Sequence, residues 1–252
     1  MGDLVPTYLT VFVSVVTLAI VGVVLFGLGR ALRLAKWRDP DRRKAVVTLG
    51  VVLVALLFAA LLPSWLGFYQ AQLFGLPTIQ YGVLLPLVVG FVLWRWGMVR
   101  RVVEAIPQRW MVSVQFYRAL GFIFLVLYAQ GRMPGAFAWP AGVGDVVVGL
   151  AAPIVGAAYA RSPHRAAGWV RAWNFLGIAD LIVALTTGFL TSPSPLQMLA
   201  LDAPNTLITA FPLVMIPVFL VPLSLLLHFA SLRKLGRAER AVVEADFAAV
   251  RT

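Results

Sequence analysis

RALRLAKWRDPDRRK, residues 30–44, carries seven of the chain's 21 Lys and Arg residues and separates two long apolar runs. Cytoplasmic connections of membrane proteins collect Lys and Arg because moving them across the bilayer is unfavourable. The pattern then repeats along the chain. Four cations fall in 95–109, three in 161–171 and five in 233–251, so these four segments hold 19 of the 21. The intervening connections hold only Arg132, and Arg118 lies inside an apolar run.

The apolar runs are seven: about 7–29, 45–66, 78–97, 111–130, 138–160, 169–190 and 205–231. Each has the roughly 20 residues a helix needs to cross a hydrocarbon core of about 30 Å. Aromatic residues mark the edges, where amphipathic rings settle among headgroups. Tyr8, Trp65, Tyr81 and Trp139 mark one side; Trp94, Trp96, Trp110 and Trp169 mark the other. The fold class expected is all-α: a polytopic membrane protein with one seven-helix bundle in residues 1–235. Residues 236–252 form a cytoplasmic amphipathic tail. Basic alternate connections place the N-terminus outside and the C-terminus inside. The first run reads as uncleaved, since residues 1–10 carry Asp3 and no cation. The excess of Arg over Lys suggests a GC-rich bacterial genome and hence the inner (plasma) membrane.

Composition removes several functions. The chain is 61% hydrophobic and 12% charged, with a formal charge of +11. That charge anchors loops at an anionic inner leaflet and does not point to nucleic acid. With no cysteine, disulfides, thiolate metal sites and thiol nucleophiles are excluded. Lys36, Lys44 and Lys234 all lie outside the apolar cores, so a retinal Schiff base has no lysine. His228 is the one histidine inside a run, which leaves haem without a ligand pair. No H-E-x-x-H cluster suits a membrane metallohydrolase. SWEET-like sugar transporters carry a Pro-Gln motif within a helix, whereas Pro107-Gln108 here sits in a connection. No cofactor or metal is expected.

Ionisable groups within a bilayer cost about 2.5–3.5 kcal/mol each and usually face a bundle interior or wet cavity. Arg118, Asp145, Asp180 and His228 are the candidates, all in the last four runs, so the first three read as scaffold. At about 1.5 Å per residue, Arg118 lies roughly 12 Å in from Trp110 and Asp180 roughly 16 Å in from Trp169. Asp145 lies only about 9 Å from Trp139 at the opposite edge. An Arg118–Asp180 ion pair is therefore expected, with Asp145 a second, freer carboxylate. Gln115 shares a helical face with Arg118. Trp173 and Gly177 share one with Asp180, and Asn174 adds an amide. Asp145, Gly149, Ala152 and Gly156 form a stripe of small residues that permits close helix approach or leaves room for a ligand. Pro212, Pro217 and Pro222 predict a kinked, cavity-lining last helix. Ser224 and His228, four apart on one helix, project in parallel and suit proton abstraction poorly. His228 reads instead as an interfacial anchor.

Two short segments read as amphipathic helices in the interface: 99–106, and 237–250 with Val243, Phe247 and Val250 on one face. The connection 191–206 ends in Asp202-Ala203-Pro204-Asn205, an N-cap signal for the last helix.

The leading functional expectation is a carrier of a small solute, with proton coupling. Asp180 stays paired to Arg118 while Asp145 exchanges a proton with the outer side, or a substrate carboxylate or phosphate competes for Arg118. A structural or accessory membrane subunit is the first alternative. A membrane enzyme acting on a lipid or isoprenoid, with the acids as general acid and base, is the second. A small solute or a lipid is the ligand class, and the sequence carries no signal of oligomeric state.

Overall fold

The computed structural model describes residues 5–74 and 76–250, with side chains for all of these except 241–243 and 245–250. Among the described residues it is mainly helical, with a two-stranded hairpin of β1 (Gln72–Leu73) and β2 (Leu76–Pro77). The helices are α1 (Thr7–Leu34), α2 (Asp39–Trp65), α3 (Ile79–Leu93), α4 (Gly97–Ala105), α5 (Gln108–Ser113), α6 (Phe122–Ala129), α7 (Gly135–Arg161), α8 (Pro163–Thr191) and α9 (Val221–Val250). A 3-10 segment, Val114–Gly121, joins α5 to α6 into one helical run. Six runs are long and apolar enough to cross a membrane, and α3 with α4 makes up to seven.

Local chemistry sets the helix ends. Asp39, Pro40 and Asp41 open α2, where a missing N–H costs nothing and acids complement the helix dipole. Pro163 opens α8 in the same way. Arg33 and Arg161 close α1 and α7, where a cation suits the dipole.

The basic segments gather at one end. The α1–α2 connection, α4 and Arg237 of α9 border a common polar cleft. Arg171 of α8 donates to Glu239 of α9 at 2.5 Å. Lys234 donates to the Ile106 carbonyl at 2.7 Å and also to that of Glu104, satisfying carbonyls that Pro107 leaves at the end of α4. At the other end, Tyr8 donates to Gln130 at 2.8 Å.

α7 packs along α8 on one side and along α5, the 3-10 segment and α6 on another; α9 packs against α3, α5 and α8. In the apolar span of α9, 61% of residues are buried; in that of α2, 17% are. α9 is therefore central and α2 peripheral. Phe26, Val51, Phe58 and Ile154 are each more than 60% exposed on the outer helix faces. Such apolar surface suits lipid and not water, so the chain is a multi-pass membrane protein.

Two boundaries depart from the sequence reading. The third run does not continue to residue 97: α3 ends at Leu93 and the chain turns through 94° into α4. The amphipathic residues 97–105 bury Val99 and Val102 and expose Arg100 and Arg101, so they cannot share the all-apolar surroundings of α3. The last helix does not begin at 205. Asn205 Oδ1 accepts from the Ile208 N–H at 3.3 Å and serves a short 3-10 turn, Leu207–Thr209. The chain then passes through turns and a π-helical turn, Ile216–Leu220, before α9. α9 crosses the 235/236 boundary without a break. The side chains of Val243, Phe247 and Val250, whose shared face was expected, lie outside the described residues.

Candidate functional site

The site forms where the 3-10 segment crosses α7, α8 and α9. In that segment the buried residues are Gln115, Arg118 and Gly121, spaced by three. That is the 3-10 repeat, which stacks i and i+3 on one line. Gly149 of α7 lets the segment come within backbone distance. A Cβ there would lie 2.9 Å from Ala119 Cα and from the Arg118 carbonyl carbon. Gly121, Gly144 and Gly177 play the same part for the Asp145, Asp180 and His228 side chains.

Arg118 is the hub. Its Nε donates to Asp145 Oδ1 at 2.8 Å, and its Nη2 donates to Asp180 Oδ2. Its Nη1 donates to the Gly177 carbonyl at 3.3 Å and meets His228 Nε2 at 3.2 Å. The Arg118 side chain is 2% exposed, and those of Asp145 and Asp180 are 11% and 9%. The guanidinium thus bridges two carboxylates in a nearly dry place. Its planar fork makes this feasible where a lysine would reach one partner.

The hydrogen bonds fix the imidazole's state. Asn174 Nδ2 donates to the Val170 carbonyl at 2.7 Å and to Ser231 Oγ at 2.9 Å. Its Oδ1 must then accept from His228 Nδ1, 2.9 Å away. Arg118 has no acceptor, so Nε2 accepts from it. His228 is neutral, with its proton on Nδ1. Gln108 Nε2 donates to Ser231 Oγ at 2.7 Å and extends the chain of bonds toward the basic end. Tyr117 and Ser224 hydroxyls pair at 2.7 Å on its flank.

Asp145 and Asp180 share Arg118, so Asp145 is not the freer carboxylate the depths suggested. The 3-10 rise of about 2.0 Å per residue carries Arg118 deeper than an α-helix would, and its long side chain spans the rest. Asn174 belongs to the network through His228. Trp173 is a wall: its Nε1 donates to the Val148 carbonyl at 3.0 Å and its ring packs on His228 at 4.9 Å. Gln115 is fully buried, yet neither side-chain polar atom has a partner among the described residues.

Gly149 is backed by the backbone of the 3-10 segment on its Cβ side. Pro212 precedes the last helical run, Pro217 sits in its π-helical first turn and Pro222 follows directly, so the latter two lie within one run from Ile216. Their missing N–H groups coincide with the departure from a regular α-helical ladder. Pro217 borders a cavity beside the site. His228 is no interfacial anchor: it is fully buried at the centre. A sequence signal for it existed. Ser224, His228 and Ser231 recur at i, i+4 and i+7, a polar stripe on the otherwise apolar first part of α9.

Two small cavities touch Asp145. One, about 40 Å³, is shared with Tyr117, Arg118 and Ser224. The other, about 30 Å³, is shared with Ser192, Ile208 and Pro217 toward the end opposite the basic segments. Each has room for a few water-sized groups only.

A family model, described as a domain of unknown function (DUF8737), matches residues 76–236. The chain belongs to DUF8737. The matched DUF8737 region spans Gln108, Arg118, Asp145, Asn174, Asp180, His228 and Ser231, and leaves out α1 and α2. No curated protein and no solved structure matches the chain.

Proposed function

We propose that the protein is a proton-coupled carrier of a small solute in a bacterial inner membrane, with Asp145 as the proton-exchanging group. The observation that carries this reading is the sharing of one guanidinium by two carboxylates, Asp145 buried and Asp180 largely so, beside a neutral imidazole. With both acids ionised, the cluster carries one uncompensated negative charge. A stranded buried charge costs several kcal/mol, so the cluster holds a proton or a small cation. Asp145 rather than Asp180 exchanges it, because Asp145 borders both small cavities. Those cavities admit no organic solute, so this is an occluded arrangement, and solute entry requires the helices around α7 to part.

Reconstitution into liposomes containing a pH-sensitive dye tests this against a panel of small carboxylates, amines and amino acids. One class is expected to drive proton movement. Asp145→Asn, which keeps shape and removes charge, should abolish that movement while detergent melting stays close to wild type. Solute flux without proton movement, or flux unchanged in Asp145→Asn, overturns the reading. A stable stoichiometric partner and no flux would favour an accessory subunit whose cluster serves assembly. Turnover of an added lipid would favour an enzyme.

The reading includes seven spans, N-terminus out and C-terminus in, supported by the gathering of basic segments at one end. A reporter fused at the C-terminus is expected to be active only in its cytoplasmic form. Periplasmic activity there would sink the orientation and with it the outward path to Asp145.

A further inference from the structure

A large apolar chamber, about 660 Å³ and open on one side, lies away from the ion cluster and is lined by α1, α2, α3, α4, α5 and α9. Its size falls in the range of about 300–1,000 Å³ typical of small-molecule sites. Leu25, Leu28, Val52, Leu56, Leu226 and Ala230 make its walls, and Arg30 is the one charged residue that lines it. Trp94 also lines it, and its Nε1 is buried with no acceptor among the described residues. The Arg233 guanidinium lies 5.4 Å over the Trp94 ring, which brings a second cation to that wall.

α4 forms one boundary of the chamber. Val99, Val102 and Val103 face the chamber. Arg100, Arg101 and Glu104, on the other side of the same helix, face a polar cleft of about 1030 Å³. That cleft also holds Arg38, Lys44, Arg237 and Asp41, five cations against two carboxylates in all. Arg237 engages Glu104 at 2.6 Å. Among the described residues, no carboxylate pairs with Arg38, Lys44, Arg100 or Arg101. Apolar volume, a charged rim and a strongly positive field thus meet across a single helix that turns 94° from its neighbour.

We infer that the chamber holds an acyl chain of one anionic phospholipid, with its phosphate at the Arg30 rim beside the basic cleft. Charge complementarity selects the occupant. A neutral lipid or a detergent tail would fill the walls but leave Arg30 and the cleft unanswered, and basic pockets between membrane helices recur as anionic headgroup sites. The inference is independent of the proton reading, since none of these groups belongs to the ion cluster.

Native mass spectrometry of the full chain in mild detergent tests it, with phosphatidylglycerol and phosphatidylcholine of identical chains as probes. One phosphatidylglycerol should be retained about fivefold better than phosphatidylcholine, the preference expected from one cation near a headgroup. Arg30→Gln should erase that preference without lowering phosphatidylcholine retention. Arg30 is exposed, so the variant folds. Val52→Trp, which projects a ring into the chamber, should lower retention of both lipids. If that variant fails to fold, the Arg30→Gln comparison decides alone. Equal retention of the two lipids, or a preference that survives Arg30→Gln, overturns the proposal. Displacement of the lipid by glycerol phosphate at equal concentration would mark a free-anion site and also overturn it.

Discussion

Arg118→Leu is expected to be the most damaging single substitution in the chain, lowering stability by about 3–5 kcal/mol or more. It removes the only cation that touches either Asp145 or Asp180 among the described residues, and strands both. It also removes the donor that His228 Nε2 and the Gly177 carbonyl share. The loss should appear as reduced expression and a sharply lower melting temperature in detergent. Arg118→Lys should fall between Leu and wild type, because an ammonium reaches one carboxylate and not two. A combined variant with Leu at 118 and Asn at 145 and 180 should recover a large part of the loss, since neutral amides no longer need a counter-charge. If Arg118→Leu melts as wild type does, the bridge is not a structural keystone. The charge-balance argument for proton uptake would then lose its footing.

Gly149→Ala should cost about 3 kcal/mol, near the top of the range for overpacking. The new Cβ would lie against Ala119 N and 2.9 Å from Ala119 Cα. These are backbone atoms, which cannot rotate out of the way as a side-chain tip can. α7 and the 3-10 segment would have to separate, and Asp145 would be drawn off Arg118. The control is Gly22→Ala in α1, where a Cβ meets nothing within 4 Å. There helix propensity favours Ala by up to about 1 kcal/mol, so melting should hold or rise. The two substitutions are chemically identical, and equal melting temperatures for both would refute the backbone-contact account.

These two cases show where sequence reasoning reached and where it stopped. Arg118 and Asp180 could be paired because depth along a helix is close to a linear count of residues, and a long guanidinium forgives errors of a few ångströms. Asp145 was misplaced by the same count, because nothing local announces that residues 114–121 tighten into a 3-10 segment. Gly149 stood out as part of a small-residue stripe, but a stripe tells equally of close packing and of open space. His228 reads as an anchor in sequence because its partner Asn174 lies 54 residues away, and Gln108 draws no notice because it falls in a connection.

The sequence by itself determined that this is a helical membrane protein. Apolar length and charge spacing are one-dimensional quantities, and the bilayer acts on them directly. It also marked Arg118, Asp145 and Asp180 as residues needing an explanation, since their burial is costly wherever they point. Only the tertiary structure decided that one guanidinium serves both acids, that a neutral histidine stands behind it, and that a π-helical turn at Pro217 opens the last helical run. It alone assembled the apolar chamber, from the three runs that look like plain scaffold together with α5 and α9. Those features depend on which faces of distant helices meet, and packing faces are set by all the helices at once.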